Sequence, residues 1–87
     1  METILIVDDE INYTLILAAV LEDEGFETLT ANSGPEALAT LSESDVDLVL
    51  TDMKMPAMDG IDLLERIKKE DADLPVIMMT AHGTVEK

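Results

Sequence analysis

Polar side chains stand where three apolar runs of the sequence end. The carboxylates and the hydroxyl that follow these runs are Asp8, Asp9, Asp52 and Thr80. Two carboxylates about 4 Å apart repel by about 4 kcal/mol at an effective dielectric constant of 20, so three in one crevice require a cation unless a lysine or arginine is close. Their oxygen atoms suit a hard ion such as Mg²⁺. If the fold brings them together, these residues predict a divalent-cation site.

Such a site could carry phosphoryl chemistry. A carboxylate beside Mg²⁺ can act as a nucleophile toward a phosphoryl group and form an aspartyl-phosphate. The ion would neutralise the carboxylates and the phosphoryl oxygens, so the protein would have little else to supply. The hydroxyl of Thr80 could then donate a hydrogen bond to the new phosphate.

The apolar runs are short and bounded by polar residues, which is typical of strands that are buried on both faces of a sheet. The predicted strands, the second of them more exposed than the others, are Ile4–Val7, Phe26–Thr30, Val46–Leu50 and Pro75–Met79.

Three helical patterns lie between these strands. Asp9 is the predicted N-cap of the first and Gly25 its end, the capping box Ser33–Glu36 opens the second, and Asp59 caps the third. The residues predicted to face inward are Ile11, Leu15, Ala18 and Ala19, then Ala37, Leu38 and Leu41, then Ile61, Leu64 and Ile67. We expect a loop and the first turn of a fourth helix over His82–Lys87.

Strands that alternate with helices predict an α/β fold in one domain over residues 1–87. This alternation implies right-handed crossover connections and a parallel, doubly wound sheet with helices on both faces. Ligands of such sheets bind beyond the carboxyl ends of the strands. The three carboxylates and the threonine should therefore meet at one edge.

Composition narrows the functions further. The chain has 87 residues, of which 47% are hydrophobic, and a formal net charge of −15. Five basic residues against 20 acidic ones cannot form the basic face that nucleic acids or anionic membranes require. No apolar run approaches a membrane span, and the sequence does not begin like a signal peptide, so we expect a cytoplasmic location.

The nucleotide-binding patterns G-x-G-x-x-G and G-x-x-x-x-G-K-[ST] do not occur in the sequence. The chain has no cysteine, and its one histidine, His82, lies in a predicted loop, where a surface role is the better interpretation.

Three segments resemble the receiver domain of two-component response regulators, which has a flavodoxin-like fold. They are ILIVDDE from Ile4, LVLTDMKMPAMDG from Leu48 and PVIMMTA from Pro75. The resemblance covers essentially the whole chain, with the motifs in the family's order. The segment Thr80–Glu86 also resembles receivers of regulators that activate transcription with an AAA+ ATPase domain.

The resemblance implies a role for each matching acidic residue. Asp52 would be the phosphoacceptor, Asp9 and Asp52 would bind Mg²⁺ directly, and Asp8 would act mainly through water. The backbone carbonyl of Lys54 would be a further ligand of the ion.

It also implies roles around the phosphate. Thr80 would be the switch hydroxyl that turns toward the phosphate, and Ala81 the small residue that leaves room for it. Pro56 and Gly60 would belong to the loop that shapes the pocket, although loop geometry alone explains them equally well. The methionines of this segment are expected to pack and to form an adaptable loop surface, and to have no chemical role. They are Met53, Met55 and Met58.

The implied partners are a histidine kinase or a small phosphodonor, together with a downstream output domain outside this chain. The choice of kinase would lie on the first helix, around Asn12–Leu21. By this resemblance the chain is not an enzyme but a phosphoacceptor that promotes its own phosphorylation and dephosphorylation.

Family receivers continue through a fifth strand that carries a lysine and through a last helix, which have no counterpart before Lys87. We therefore expect a receiver truncated at its C-terminus, with a bare edge at Pro75–Met79. A bare apolar edge pairs with another chain, so a homodimer through this edge or through exchange of the C-terminal segment is expected.

Two other functions stay open at this point. A truncated receiver could act only as a cation-binding or dimerising unit without stable phosphosignalling. A phosphohydrolase of the haloacid dehalogenase type also forms an aspartyl-phosphate. Such enzymes carry the motif D-x-D-x-[TV], and this chain has Lys54 where the motif requires its second aspartate.

Overall fold

Five strands form one sheet in the order β2-β1-β3-β4-β5, in which the first four are parallel and β5 is antiparallel to β4. The structure, a computed structural model, describes residues 2–53, 55, 58–80 and 83–86, with only the backbone for residue 80 and for residues 83–86. Its elements are β1 Thr3–Val7, α1 Ile11–Asp23, β2 Glu27–Ala31, α2 Gly34–Glu43, β3 Leu48–Asp52, α3 Gly60–Glu70, β4 Val76–Thr80 and β5 Gly83–Glu86. The predicted doubly wound parallel sheet is confirmed.

The core lies mainly between the sheet and the pair α2 and α3. The chain reverses direction across the sheet after β2, so right-handed connections place α1 on one face and α2 and α3 on the other. Leu5 and Val7 of β1 join Val49 of β3, Leu63 and Ile67 in one buried cluster. The whole apolar run of β1 is buried, which is why this strand can occupy the interior of the sheet.

Two helices begin as the sequence predicts. The Ser33 hydroxyl accepts a hydrogen bond from the Glu36 amide at 3.1 Å, and Asp59 Oδ1 accepts one from the Asp62 amide at 2.9 Å. Gly25 has φ +97°, which allows the chain to turn after α1 as predicted.

The predicted N-cap of α1 is wrong. Glu10 occupies the cap position and makes no capping hydrogen bond with its side chain. The Glu10 amide instead donates to Asp8 Oδ1 at 2.9 Å, so the acidic loop is organised by Asp8, two residues before the cap position.

The predicted inward face of α1 is also wrong in phase, because three of its four residues are exposed. Thr14 is buried, whereas Ile11 is 59% exposed and Leu15 is 58% exposed. Apolar residues surround this helix, since Ile16 and Val20 are exposed as well, so periodicity cannot select the face that meets the sheet.

The predicted inward face of α3 is partly wrong. Leu63 and Ile67 are buried, whereas Leu64 is half-buried and Ile61 is exposed. The helix begins at Gly60, so Ile61 lies in its first turn and is turned toward solvent. In α2 the prediction holds, because Ala37 is buried and both Leu38 and Leu41 pack against the core.

The segment Gly83–Glu86 is a strand, which corrects the predicted fourth helix and the predicted bare edge. It pairs with β4 from Thr80 opposite Gly83 to Ile77 opposite Glu86. An unpaired β4 would leave a row of amide and carbonyl groups without partners, and β5 supplies them. His82 and Lys87 lie outside the described residues.

Among the described helices, none has the length and hydropathy that crossing a bilayer requires.

Candidate functional site

The first part of the site is Asp8, the residue that follows β1. The Asp8 amide donates to the Ala31 carbonyl at 3.1 Å, which extends the pairing of β1 and β2 by one residue. The side chain of Asn32 donates to the Asp8 carbonyl at 2.9 Å. Because the Glu10 amide also donates to the Asp8 carboxylate, hydrogen bonds hold this residue at its amide, its carbonyl and its side chain.

Strand register then brings Asp52 to the same place. Val7 lies opposite Thr51 in the parallel pair of β1 and β3, so the next residues along each strand, Asp8 and Asp52, end side by side. One carboxylate oxygen from each of Asp8, Asp9 and Asp52 lies within 4.8 Å of the others. Asp8 is 6% exposed, Asp52 is half-buried and Asp9 is exposed. The three carboxylates therefore converge at one edge of the sheet, as predicted.

The start of α3 packs against the backbone of Asp52. The Gly60 amide donates to the Met53 carbonyl at 2.8 Å, and the Met53 amide donates to the Met79 carbonyl at 3.0 Å. A Cβ at Gly60 would overlap the carbonyl oxygen of Asp52 and lie 2.9 Å from Met53 Cα. Gly60 therefore has a steric reason to be glycine, in addition to any role in loop geometry.

The electrostatics of the cluster centre on Asp8. Burial raises the pKa of the Asp8 carboxyl above its ordinary value, and the charges of Asp52 and Asp9 raise it further, while the hydrogen bond from the Glu10 amide opposes them. Near neutral pH a charged Asp8 is thus held where it costs free energy. A cation among the carboxylates would remove that cost.

The donor set fits Mg²⁺. It consists of oxygen atoms only, and the exposed Asp9 and half-buried Asp52 leave room for the water ligands that Mg²⁺ retains.

The remaining predicted residues are placed less completely. Thr80 ends β4 one residue beyond Met79, which lies opposite Asp52, so its backbone is close to the site. Lys54, Pro56 and Ala81 lie outside the described residues. Met55 is buried in the core and Met58 packs against it, as predicted for these methionines.

Sequence reasoning missed Asn32. It follows β2 and not one of the two strands, β1 and β3, that end at the acidic cluster, and a single asparagine before a helix is common. Only the register of β2 with β1 places it beside Asp8.

Comparison with known proteins agrees with this geometry. The family model described as the response regulator receiver domain matches residues 4–87, so the chain belongs to the response regulator receiver family. The chain is 45% identical over 85 residues to sporulation initiation phosphotransferase F of Bacillus subtilis, covering 98% of this chain and 68% of the relative. It is 46% identical over 83 residues to the transcriptional regulatory protein ZraR of Escherichia coli, covering 95% of this chain and 19% of the relative.

Solved structures lead to the same family. The response regulator TrrA of Thermotoga maritima in complex with Mg²⁺-BeF superposes with a TM-score of 0.89 at 40% identity, over 93% of this chain and 70% of that one. The complex of the histidine kinase ThkA with TrrA contains a match with a TM-score of 0.89 at 38% identity, over 95% and 72% of the two chains. The chain is thus a receiver domain of a two-component system.

Replacing Asp8 tests the electrostatic cost. Because the pKa of Asp8 is raised in the folded state, the protonated Asp8 carboxyl stabilises the fold at pH below the unfolded pKa. This stabilisation is lost as pH rises through the folded pKa. Asp8→Asn keeps the acceptor for the Glu10 amide and removes the charge. In EDTA at pH 7 we expect its free energy of unfolding to exceed that of wild type by about 1–2 kcal/mol.

Urea unfolding at pH 4 and pH 7 measures this, and the advantage should shrink at pH 4. The exposed Asp73→Asn controls for the general loss of one negative charge. Equal effects of the two variants at pH 7 would contradict the prediction.

Replacing Gly60 tests the close approach of α3. In Gly60→Ala the Asp52 carbonyl must shift, so Mg²⁺ should bind several-fold more weakly by calorimetric titration. Gly25→Ala is the matched control: its φ is positive and a Cβ there meets nothing within 4 Å, so we expect a loss of about 1 kcal/mol in stability and unchanged Mg²⁺ affinity. Wild-type affinity in Gly60→Ala would show that the contact does not position Asp52.

Proposed function

We propose that the chain is the phosphoacceptor module of a two-component phosphorelay and that Asp52 accepts the phosphoryl group in a Mg²⁺-dependent reaction. The observation that carries the proposal is the cluster of three carboxylates at the ends of two adjacent parallel strands.

Differences among the three carboxylates favour Asp52 as the nucleophile. Asp8 is buried and its Oδ1 already accepts a hydrogen bond from the Glu10 amide. Asp9 is exposed on the loop before α1. Asp52 ends an interior strand and is half-buried, and within the described part of the chain no side-chain hydrogen bond engages its carboxylate. It is therefore both fixed in place and open to attack a phosphorus atom.

The other residues divide the remaining tasks. Asp9 and Asp52, with the Lys54 carbonyl, would hold Mg²⁺, and Asp8 would bind it through water. The ion, when bound, supplies charge neutralisation for the carboxylates and for the incoming phosphoryl oxygens. Asp52 forms the new P–O bond, and the bond from phosphorus to the donor breaks with its electron pair leaving on the donor.

Thr80 is proposed as the switch residue, since β4 ends beside the strand that carries Asp52. Its hydroxyl would donate to a phosphoryl oxygen, with the small Ala81 leaving space for this movement. Partner binding would then change as the end of β4 moves.

The proposed phosphodonor is a histidine kinase or a small acyl phosphate. The exposed large hydrophobic residues of α1 offer a surface for the kinase and lie within or beside the predicted range Asn12–Leu21. They are Ile11, Tyr13, Leu15, Ile16 and Val20. The solved complex of ThkA with TrrA shows that a related receiver binds a kinase. An output domain would lie outside this chain, and a cytoplasmic location remains a prediction.

We propose further that the chain can dimerise by exchange of its C-terminal strand. Thr80 pairs with Gly83, so only Ala81 and His82 link β4 to β5. Neither is among the Asn, Asp and Gly residues that two-residue hairpins favour. A second copy could supply β5 in the same antiparallel register.

Light scattering over a dilution series tests this exchange. We expect a dimer at high concentration, and the double variant Ala81→Asn, His82→Gly should shift the population toward monomer because Asn-Gly stabilises the closed hairpin. A wild-type chain that stays monomeric at all concentrations would contradict the exchange.

A cation-binding unit without stable phosphosignalling is the second candidate, because the carboxylate cluster by itself supports only ion binding. Whether the chain becomes phosphorylated distinguishes this candidate from the phosphoacceptor module.

Intact mass spectrometry after incubation with acetyl phosphate and Mg²⁺ is the test. We expect a labile phosphoryl adduct that is lost in Asp52→Asn and retained in the exposed control Asp45→Asn, with acetate as the leaving group. If wild type binds Mg²⁺ but forms no adduct, the second candidate is correct. If the adduct persists in Asp52→Asn, another residue is the phosphoacceptor.

A further inference from the structure

We infer that Asn32 is a positioning residue for the cation site, acting through the backbone of Asp8. Its Nδ2 donates to the Asp8 carbonyl at 2.9 Å across 24 positions of sequence. The inference rests on the proposed function, in which Asp8 and Asp9 help to bind the ion.

The hydrogen bond acts on the peptide that joins Asp8 to Asp9. This unit is planar, so holding its carbonyl oxygen also sets the direction in which the chain continues to Asp9. Asp9 is exposed, and its carboxylate lies close to those of Asp8 and Asp52, which carry the same charge. Because like charges repel, the side chains would not bring Asp9 toward Asp52 by themselves, and the backbone is what directs it there.

Asn32 is itself held firmly. Ala31 before it is fully buried and accepts from the Asp8 amide at 3.1 Å. Ser33 after it caps α2 through the Glu36 amide. The side chain thus extends to the acidic loop from the junction of a strand and a helix, and it is half-buried.

The chemistry of the side chain also fits this role. A carbonyl oxygen needs a donor, and a carboxamide provides one without carrying charge. A lysine there would compete with the cation, and an aspartate would add a fourth carboxylate without a donor. An uncharged donor orders the loop while leaving the three acids to the ion.

Two variants remove the donor in different ways. Asn32→Ala also removes volume, whereas Asn32→Leu keeps a side chain of similar size. Ser42→Ala, which removes one side-chain hydrogen bond to a backbone carbonyl at an exposed position of α2, is the control. Calorimetric titration with MgCl₂ should give a dissociation constant about five-fold higher in both Asn32 variants, the loss of one hydrogen bond, and an unchanged constant in Ser42→Ala.

A second measurement does not depend on the metal. In EDTA, hydrogen exchange of the Glu10 amide should be faster in both Asn32 variants, because the loop that presents Asp8 Oδ1 to it is less ordered. A purely structural role would lower the melting temperature and leave the Mg²⁺ dissociation constant unchanged, which would overturn the inference. Wild-type affinity in Asn32→Leu would overturn it as well.

The outcomes separate this inference from the proposed function. If wild type binds no Mg²⁺, the proposed function fails, and exchange of the Glu10 amide still decides whether Asn32 orders the loop. If wild type binds Mg²⁺ and the Asn32 variants bind it equally well, only the positioning role of Asn32 is lost.

Discussion

Repulsion among three carboxylates is the constraint on which the rest of this structure depends. Asp8, Asp9 and Asp52 present oxygen atoms within 4.8 Å of one another, in a chain whose net charge is already −15. Burial and the two neighbouring charges raise the pKa of Asp8, so the cluster is costly near neutral pH unless a cation joins it. The fold has to hold the acids together against this repulsion, and a cation that bound among them would relieve it.

Backbone contacts hold the three carboxylates in place against their repulsion. Parallel register of β1 with β3 puts the ends of the two strands side by side, and neither strand lies at an edge of the sheet. Gly60 allows α3 to begin directly against the Asp52 carbonyl, and Asn32 holds the carbonyl of Asp8. These contacts are made to main-chain atoms, so they fix the carboxylates without neutralising them. Any ion or phosphoryl group then enters a site that is already arranged.

Much of this architecture could be predicted from the sequence because it follows from local rules. The β-branched apolar runs indicated interior strands, and the caps at Ser33 and Asp59 follow from side-chain chemistry with the next turn. The convergence of Asp8 and Asp52 could be predicted because the carboxyl ends of parallel strands share one edge.

The errors concern features that depend on distant parts of the chain. The face of α1 could not be found from periodicity, because apolar residues surround that helix and the sheet alone selects Thr14 for burial. The strand at Gly83–Glu86 forms because β4 offers unpaired backbone groups, which no local pattern in the segment reveals. The role of Asn32 depends on the register of β2 with β1, a contact across 24 residues.

Anomalous diffraction from crystals grown with Mn²⁺, an oxygen-binding substitute for Mg²⁺, tests the central claim most directly. The account predicts one strong peak between the ends of β1 and β3, within about 2.5 Å of carboxylate oxygens of Asp9 and Asp52. A protein that crystallises with the three carboxylates in place and no peak among them would contradict it.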